Sequence, residues 1–148
     1  MNILFIGDIF GKPGREIARR AIPALVEQRN IDFVIANVEN SAAGFGVTGD
    51  IADTILSYGV DVMTTGNHVW DKKEVLEYIP REPRLLRPAN FPAGVPGRGS
   101  ILGRTRTGEP WPRFGGRLTR RHAGRTFRVI PRIRTRTRWR RRGAVRRR

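Results

Sequence analysis

The sequence predicts an α/β fold for residues 1–100, built from parallel strands joined by helices. Strand-like apolar runs alternate with helical patterns three times along this segment, and such alternation is typical of βαβ units. We expect strands over Met1–Gly7, Ile31–Asn37 and Asp61–Thr65. We expect helices over Lys12–Arg29, Asp50–Tyr58 and Asp71–Ile79. Right-handed crossovers should then place the strands side by side in one sheet.

Each element is predicted from the spacing of its apolar residues. The first two strands are nearly continuous apolar runs, the pattern of parallel strands that are buried on both faces. In the first helix, apolar residues recur every three or four positions from Ile17 to Val26, and charged residues occupy the other side. Pro23 is expected to kink or interrupt this helix, because proline removes a backbone donor. Asp71 is expected at the start of the third helix, where the helix dipole favours an acid.

The chain divides into two segments of different composition. Its 148 residues contain 29 Lys+Arg, 13 Asp+Glu and no Cys. Residues 1–100 hold 11 of the basic and 12 of the acidic residues, whereas residues 101–148 hold 18 Arg and one acid, Glu109. Leu, Ile, Val and Phe make up 9 of those last 48 residues, too few to bury a core. We therefore expect a globular α/β segment over 1–100 and a disordered, Arg-rich tail over 101–148.

Composition and spacing also exclude several classes of protein. A chain without cysteine has no disulfide framework and no thiolate metal site. The first apolar run is too short to cross a membrane, and no basic segment precedes it as in a secretory signal. A cytoplasmic location without membrane association is therefore expected. The glycines between Gly7 and Gly14 match neither the nucleotide-binding P-loop nor the dinucleotide motif.

Polar side chains that can bind a metal ion follow each of the three predicted strands. Asp8 follows the first strand, Glu39 and Asn40 follow the second, and Asn67 and His68 follow the third. The carboxyl ends of parallel strands form the ligand site of such sheets, so these side chains should meet at one edge. Taken singly, Asp8 could cap the next helix, Glu39 could be solvated, and His68 could be an ordinary part-buried histidine. Taken together, they favour a site for a hard or borderline divalent metal ion.

Longer motifs surround these residues. They are Met1–Gly14 (MNILFIGDIFGKPG), Asp32–Asn40 (DFVIANVEN), Gly44–Gly46, Thr65–Lys72 (TGNHVWDK) and Arg87–Ser100 (RPANFPAGVPGRGS). Over about residues 1–100 the chain resembles the amino-terminal part of the YmdB-type bacterial metallophosphoesterases, which belong to the calcineurin-like superfamily. The resemblance implies a centre of two divalent metal ions, iron or manganese, and hydrolysis of phosphodiesters such as 2′,3′-cyclic nucleotides.

The resemblance also implies a role for each candidate residue. Asp8 would bind the first metal ion, Glu39 would bridge the two ions, and Asn40 would complete part of the first site. Asn67 would bind the second ion through its amide oxygen, and His68 would be the general acid that protonates the leaving oxygen. A pair of metal ions of this kind clamps the phosphoryl oxygens and activates a water for in-line attack on phosphorus.

The same resemblance implies that the metal centre needs three histidines from the carboxy-terminal half of the family's fold. This chain contains only His68 and His122, and the neighbours of His122 resemble no metal motif. We therefore expect at most one loosely bound metal ion and weak or no activity. The remainder of the family's sheet should be missing as well, which would leave the third strand with an uncovered edge or face.

Three hypotheses concern the Arg-rich tail and the chain as a whole. The resemblance is expected to end between Ile101 and Trp111, and the tail has 18 Arg without Lys, as GC-rich DNA read out of frame commonly encodes. Sequencing the gene beyond codon 100 tests this frameshift hypothesis. Alternatively, the tail is a genuine basic arm that binds RNA or DNA non-specifically, neutralising phosphates and stacking aromatic residues on bases. A third interpretation is a small α/β scaffold without catalytic activity.

Overall fold

A parallel sheet of four strands forms the centre of the computed structural model, which describes residues 1–102, 108, 114–119 and 126–129. The strands are β1 (Ile3–Ile6), β2 (Phe33–Asn37), β3 (Val62–Thr64) and β4 (Leu85–Leu86), and they lie in that order. The helices that connect them in turn are α1 (Gly11–Gln28), α2 (Gly49–Ser57) and α3 (Val75–Tyr78). The predicted α/β fold class is confirmed.

The helices contribute to one hydrophobic core on one face of this sheet. The strands lie in the sheet in their sequence order. When all crossovers are right-handed, this order places every connecting helix on the same face. The buried members that the helices and strands contribute to this core include Ala18, Ile22, Val34, Ala36, Ala52, Ile55, Met63, Val75 and Leu85. A second cluster combines Phe33, Ile35, Val62 and Leu86, against which Ile101 packs. The sheet therefore buries apolar side chains on both faces.

The first strand is more exposed than its apolar run predicts. In the described part of the chain β1 pairs with β2 alone, so it lies at the edge of the sheet. Its residues Ile3 and Phe5 are 41% and 43% exposed, whereas every residue of β2 is buried. A continuous apolar run identifies a parallel strand, but it does not show whether that strand is central or at the edge.

The structure departs from two expectations about the helices. Helix α1 is not interrupted at Pro23, which lies on the exposed side while the adjacent Ile22 is fully buried in the core. The third helix begins at Val75 rather than at Asp71 and has only four residues. The segment before it forms turns that hold Asp71 next to the carboxyl end of β3.

The prediction that β3 has an uncovered edge was also wrong. Strand β4 pairs with it in parallel, with Thr64 opposite Leu86. A strand of two residues carries no periodicity, which is why the sequence did not indicate it.

A second sheet contains three antiparallel strands, β5 (Ser100–Ile101), β6 (Phe114–Thr119) and β7 (Thr126–Val129), in that order. At residues 114–119 and 126–129 the backbone thus forms strands, where the sequence analysis expected a disordered tail. Apart from these strands, Ile101, Leu102 and Gly108, the tail, including His122, lies outside the described residues. Among the helices that are described, none combines the length and apolar character needed to cross a membrane.

Candidate metal centre

The turns that follow β1 and β2 are joined by hydrogen bonds at the carboxyl edge of the sheet. Asn40 donates from Nδ2 to Oδ2 of Asp8 at 2.9 Å. The backbone joins the same two turns, because the amide of Gly11 donates to the carbonyl of Asn40 at 2.9 Å. Helix α1 has Phe10 at its N-cap position and no side-chain cap. Asp8 therefore does not cap this helix, and its exposed carboxylate faces the turn of Asn40.

Glu39 joins the turn after β2 to the turn after β3. The backbone amide of His68 donates to Oε2 of Glu39 at 3.3 Å. The same carboxylate lies so close to Gly66 that a Cβ added there would meet Oε2 at 2.4 Å. The backbone of Glu39 is fixed as well, because its amide donates to Oδ1 of the buried Asn37 at 3.2 Å. Asn67 is half-buried between Gly66 and His68, so the chain carries it to the same edge.

The imidazole of His68 is held by two side chains. Its Nδ1 lies 2.5 Å from Oδ2 of Asp71, and a carboxylate at that distance accepts a hydrogen bond from the N–H at Nδ1. The ring of Phe45 meets the imidazole edge to face, with centroids 5.4 Å apart and an interplanar angle of 69°. The sequence analysis missed both partners. Asp71 lies three residues after His68, a spacing that could have indicated the contact. The sequence analysis interpreted Asp71 as the start of a helix instead.

The two carboxylates of this edge are bonded to neutral donors. In the described ranges the ion pairs do not include Asp8 or Glu39. Asp8 accepts from a side-chain amide and Glu39 from a backbone amide, so the described partners leave their negative charge uncompensated. Carboxylate and amide oxygens are ligands that hard divalent cations prefer.

These residues fit a metal ion in part. Their oxygen atoms suit a hard cation, and they come from three turns that hydrogen bonds hold together. However, within the ranges that the structure describes, no group of three or more His, Cys, Asp or Glu is placed to hold a metal ion. The described residues therefore match a hard cation in the chemistry of their oxygen atoms without forming a complete metal site.

The fold and this edge define an α/β protein with acidic and amide side chains after the first three parallel strands. A family model described as YmdB-like protein matches residues 4–139, and the chain belongs to this family. The resemblance inferred from the motifs is thus confirmed. The match continues beyond Trp111, past the point where the resemblance was expected to end.

Individual relatives match a smaller part of the chain. The 2′,3′-cyclic-nucleotide 2′-phosphodiesterase of Bacillus subtilis strain 168 is 48% identical over 99 residues, which are 67% of this chain and 38% of that protein. A hypothetical protein from Thermus thermophilus superposes with a TM-score of 0.64 at 37% identity, covering 70% of this chain and 40% of the other.

A novel phosphatase from Mycoplasma pneumoniae superposes with the same TM-score of 0.64 at 32% identity, covering 68% of this chain and 37% of the other. The chain therefore spans about two fifths of the length of these three relatives.

Proposed function

We propose that this chain is a metal-dependent phosphoesterase by lineage, whose site takes phosphodiesters such as 2′,3′-cyclic nucleotides. The observation that carries the proposal is the pair of hydrogen bonds that joins three turns, from Asn40 to Asp8 at 2.9 Å and from His68 to Glu39 at 3.3 Å. The name of the Bacillus relative supports the substrate class, since that protein is a 2′,3′-cyclic-nucleotide 2′-phosphodiesterase.

In this proposal the metal ligands are Asp8, Glu39, Asn40 and Asn67. A divalent ion held by these residues, such as iron or manganese, would polarise a phosphoryl oxygen of the substrate and lower the pKa of a water molecule. Two of the four ligands are neutral amides, which limits the negative charge at the edge. An anionic phosphodiester would be repelled less by this set than by four carboxylates.

His68 is the proposed general acid of the same reaction. Its Nδ1 is directed at Asp71 at 2.5 Å, which leaves Nε2 as the ring nitrogen that delivers a proton to the leaving oxygen. Asp71 acts as a positioning residue, because its carboxylate fixes the rotation and the tautomer of the ring.

We further propose that the chain itself is weakly active or inactive. Apart from His68, the proposed general acid, its sequence contains one other histidine, His122, whereas the resemblance implies three histidine ligands from the carboxy-terminal half of the family's fold. One ion bound by four oxygen ligands on exposed and half-buried turns should exchange readily. We therefore expect at most one loosely held ion.

Binding of Mn²⁺ to the whole chain tests the proposed ligands. Paramagnetic broadening of backbone amide signals should centre on the turns of Asp8, Glu39 and Asn67 and should saturate at one ion. The Asp8→Asn variant should weaken this binding at least about tenfold, whereas Glu27→Gln, an exposed acid on α1, should leave it unchanged. Equal effects of the two substitutions, or broadening elsewhere in the sheet, would contradict the assigned ligands.

Hydrolysis of adenosine 2′,3′-cyclic phosphate tests the assigned chemistry. Turnover should be slow and dependent on Mn²⁺, and the His68→Ala variant should lower it about 100-fold or more while leaving Mn²⁺ broadening in place. Tight binding of two ions with rapid turnover would overturn the proposal of weak activity. Turnover that persists fully in a chelator would overturn the metal dependence.

A further inference from the structure

Two phenylalanine side chains next to the candidate metal centre are largely exposed. Phe10 is 59% exposed and Phe45 is 58% exposed. Phe10 is the second residue after Asp8, and Phe45 follows Glu39 and Asn40 in the turn after β2. Exposure of two aromatic rings beside a polar site is unfavourable in water, since each ring would gain by burial. Neither ring belongs to the hydrophobic core clusters described above.

The backbone brings these rings to one part of the edge. Gly44, which lies between Asn40 and Phe45, donates its amide to the Asn40 carbonyl at 3.1 Å. A Cβ on Gly44 would lie 3.0 Å from Cζ of Phe10, so the turn contacts the tip of that ring. Gly44 also has a φ of +96°, a conformation that glycine adopts readily. The turn therefore rests against Phe10 and presents the next side chain, Phe45, outward.

Phe45 also borders the proposed general acid. Its centroid lies 5.4 Å from that of His68, and the two rings meet edge to face. In an edge-to-face pair at least one face of Phe45 remains uncovered by the imidazole. A planar group that reached this side of the site would meet that face.

We propose that Phe10 and Phe45 bind the nucleobase of a phosphodiester substrate by stacking. This inference rests on the proposed function, since it places the phosphate beside Asp8, Glu39 and His68. In a 2′,3′-cyclic nucleotide the base is attached to the ribose carbon next to one that bears the phosphate. A base therefore lies within a few bonds of the leaving oxygen, on which His68 acts, and Phe45 contacts His68 directly.

Stacking on phenylalanine sets the expected selectivity. A phenyl ring offers no hydrogen-bond donor or acceptor, so it does not distinguish the polar edges of the bases. Its contribution grows with the area of the stacked surface. The proposed pair should therefore favour purine over pyrimidine 2′,3′-cyclic phosphates, with little difference between adenine and guanine.

The experiment compares two ligands of the whole chain in the presence of Mn²⁺. One is adenosine 2′,3′-cyclic phosphate and the other is the same ribose cyclic phosphate without a base. Affinities are measured by amide chemical shifts or by calorimetry. We expect the Phe45→Ala variant to bind the adenosine ligand about 5- to 150-fold more weakly and the base-free ligand as the wild type does. Phe10→Ala should act in the same direction.

Matched variants separate stacking from other effects. Phe45→Trp should retain the affinity for the adenosine ligand, because a larger ring still stacks. Ile17→Ala removes another exposed apolar side chain, 68% exposed on α1, and should change neither affinity. Circular dichroism of each variant reports whether the fold is intact. We expect each variant to fold, because the substituted side chains are exposed.

Each outcome bears on the inference. Equal loss of both ligands in Phe45→Ala would overturn base stacking and would assign the ring to orienting His68. Wild-type affinities that are equal for the two ligands would overturn the inference while leaving the proposed function standing. If the wild type bound neither ligand, the proposed function would fail and the inference with it.

Discussion

Replacement of Gly66 by alanine tests how closely Glu39 approaches the turn after β3. A Cβ at residue 66 would lie 2.4 Å from Oε2, 2.6 Å from Oε1 and 2.8 Å from Cδ of Glu39. Ordinary contacts of a Cβ begin at 3.4 Å, so the carboxylate must move by about 1 Å. Gly66 does not have a positive φ, so alanine is compatible with the backbone there. The Gly66→Ala variant therefore displaces one side chain without straining the main chain.

The effect on stability should be small. Alanine at a compatible position stabilises by about 0.4–1 kcal/mol, because the unfolded chain loses conformational freedom. Moving Glu39 sacrifices the hydrogen bond from the His68 amide, and such a bond contributes about 0.5–1.5 kcal/mol. The two contributions oppose each other, so the free energy of unfolding should change by about 1 kcal/mol or less. For a domain of this size that corresponds to about 4 °C or less in Tm.

The effect on the proposed site should be larger. A ligand displaced by about 1 Å can reduce a rate about 100-fold, because binding and catalysis depend on position more steeply than folding does. We expect Gly66→Ala to weaken Mn²⁺ binding at least about tenfold, measured as broadening of amide signals against Mn²⁺ concentration. Gly7→Ala is the matched control, since a Cβ there would meet nothing within 4 Å and Gly7 adjoins Asp8. Unchanged Mn²⁺ binding in Gly66→Ala, or loss of the fold, would refute this reasoning.

Three further predictions follow from other contacts. Asp71→Asn should lower hydrolysis about tenfold without changing Mn²⁺ broadening, because the charged partner of His68 Nδ1 is lost; an unchanged rate would contradict a positioning role. Ile22→Ala should lower the free energy of unfolding by about 2–5 kcal/mol in urea titration, since that side chain is fully buried. Burial, together with the carboxylate of Asp53 at 2.6 Å, raises the pKa of Tyr78 above its ordinary value of 10. The stability that depends on a protonated phenol is then present below about pH 10 and lost as pH rises above it. Tyr78→Phe should therefore lose less stability than the wild type between about pH 9 and pH 11, measured as the urea midpoint.

The parallel sheet and the meeting of turns at its carboxyl edge could be predicted from the sequence because both follow from local patterns. Apolar runs over Ile31–Asn37 and Asp61–Thr65 indicate buried strands, and the structure places β2 and β3 within them. In parallel sheets the ligand site lies beyond the carboxyl ends of the strands, so the residues that follow each strand are the candidates. That rule predicts that the turns after the three strands meet, and hydrogen bonds do join Asp8 to Asn40 and Glu39 to the backbone amide of His68.

The missed features depend on contacts between segments that are distant in sequence. Whether β1 lies at an edge depends on which strands pair beside it, and its own residues do not encode that choice. Asp71 matched the sequence pattern of a helix start, yet α3 begins only at Val75 and the carboxylate contacts His68 instead. An acid three residues after a histidine suits either a helix or a turn, and tertiary packing selects between them.

The core and the candidate centre of this chain depend on different kinds of contact. The core draws fully buried side chains from every helix and from the parallel strands, so its stability comes from apolar area that no ligand needs to complete. The centre is held by single hydrogen bonds between exposed or half-buried turns, each of which contributes little to folding. Loss of Asp8 or Asn40 should thus weaken metal binding in a chain that still folds. Loss of Ile22 or Ile55, in contrast, should destabilise the sheet that positions those turns.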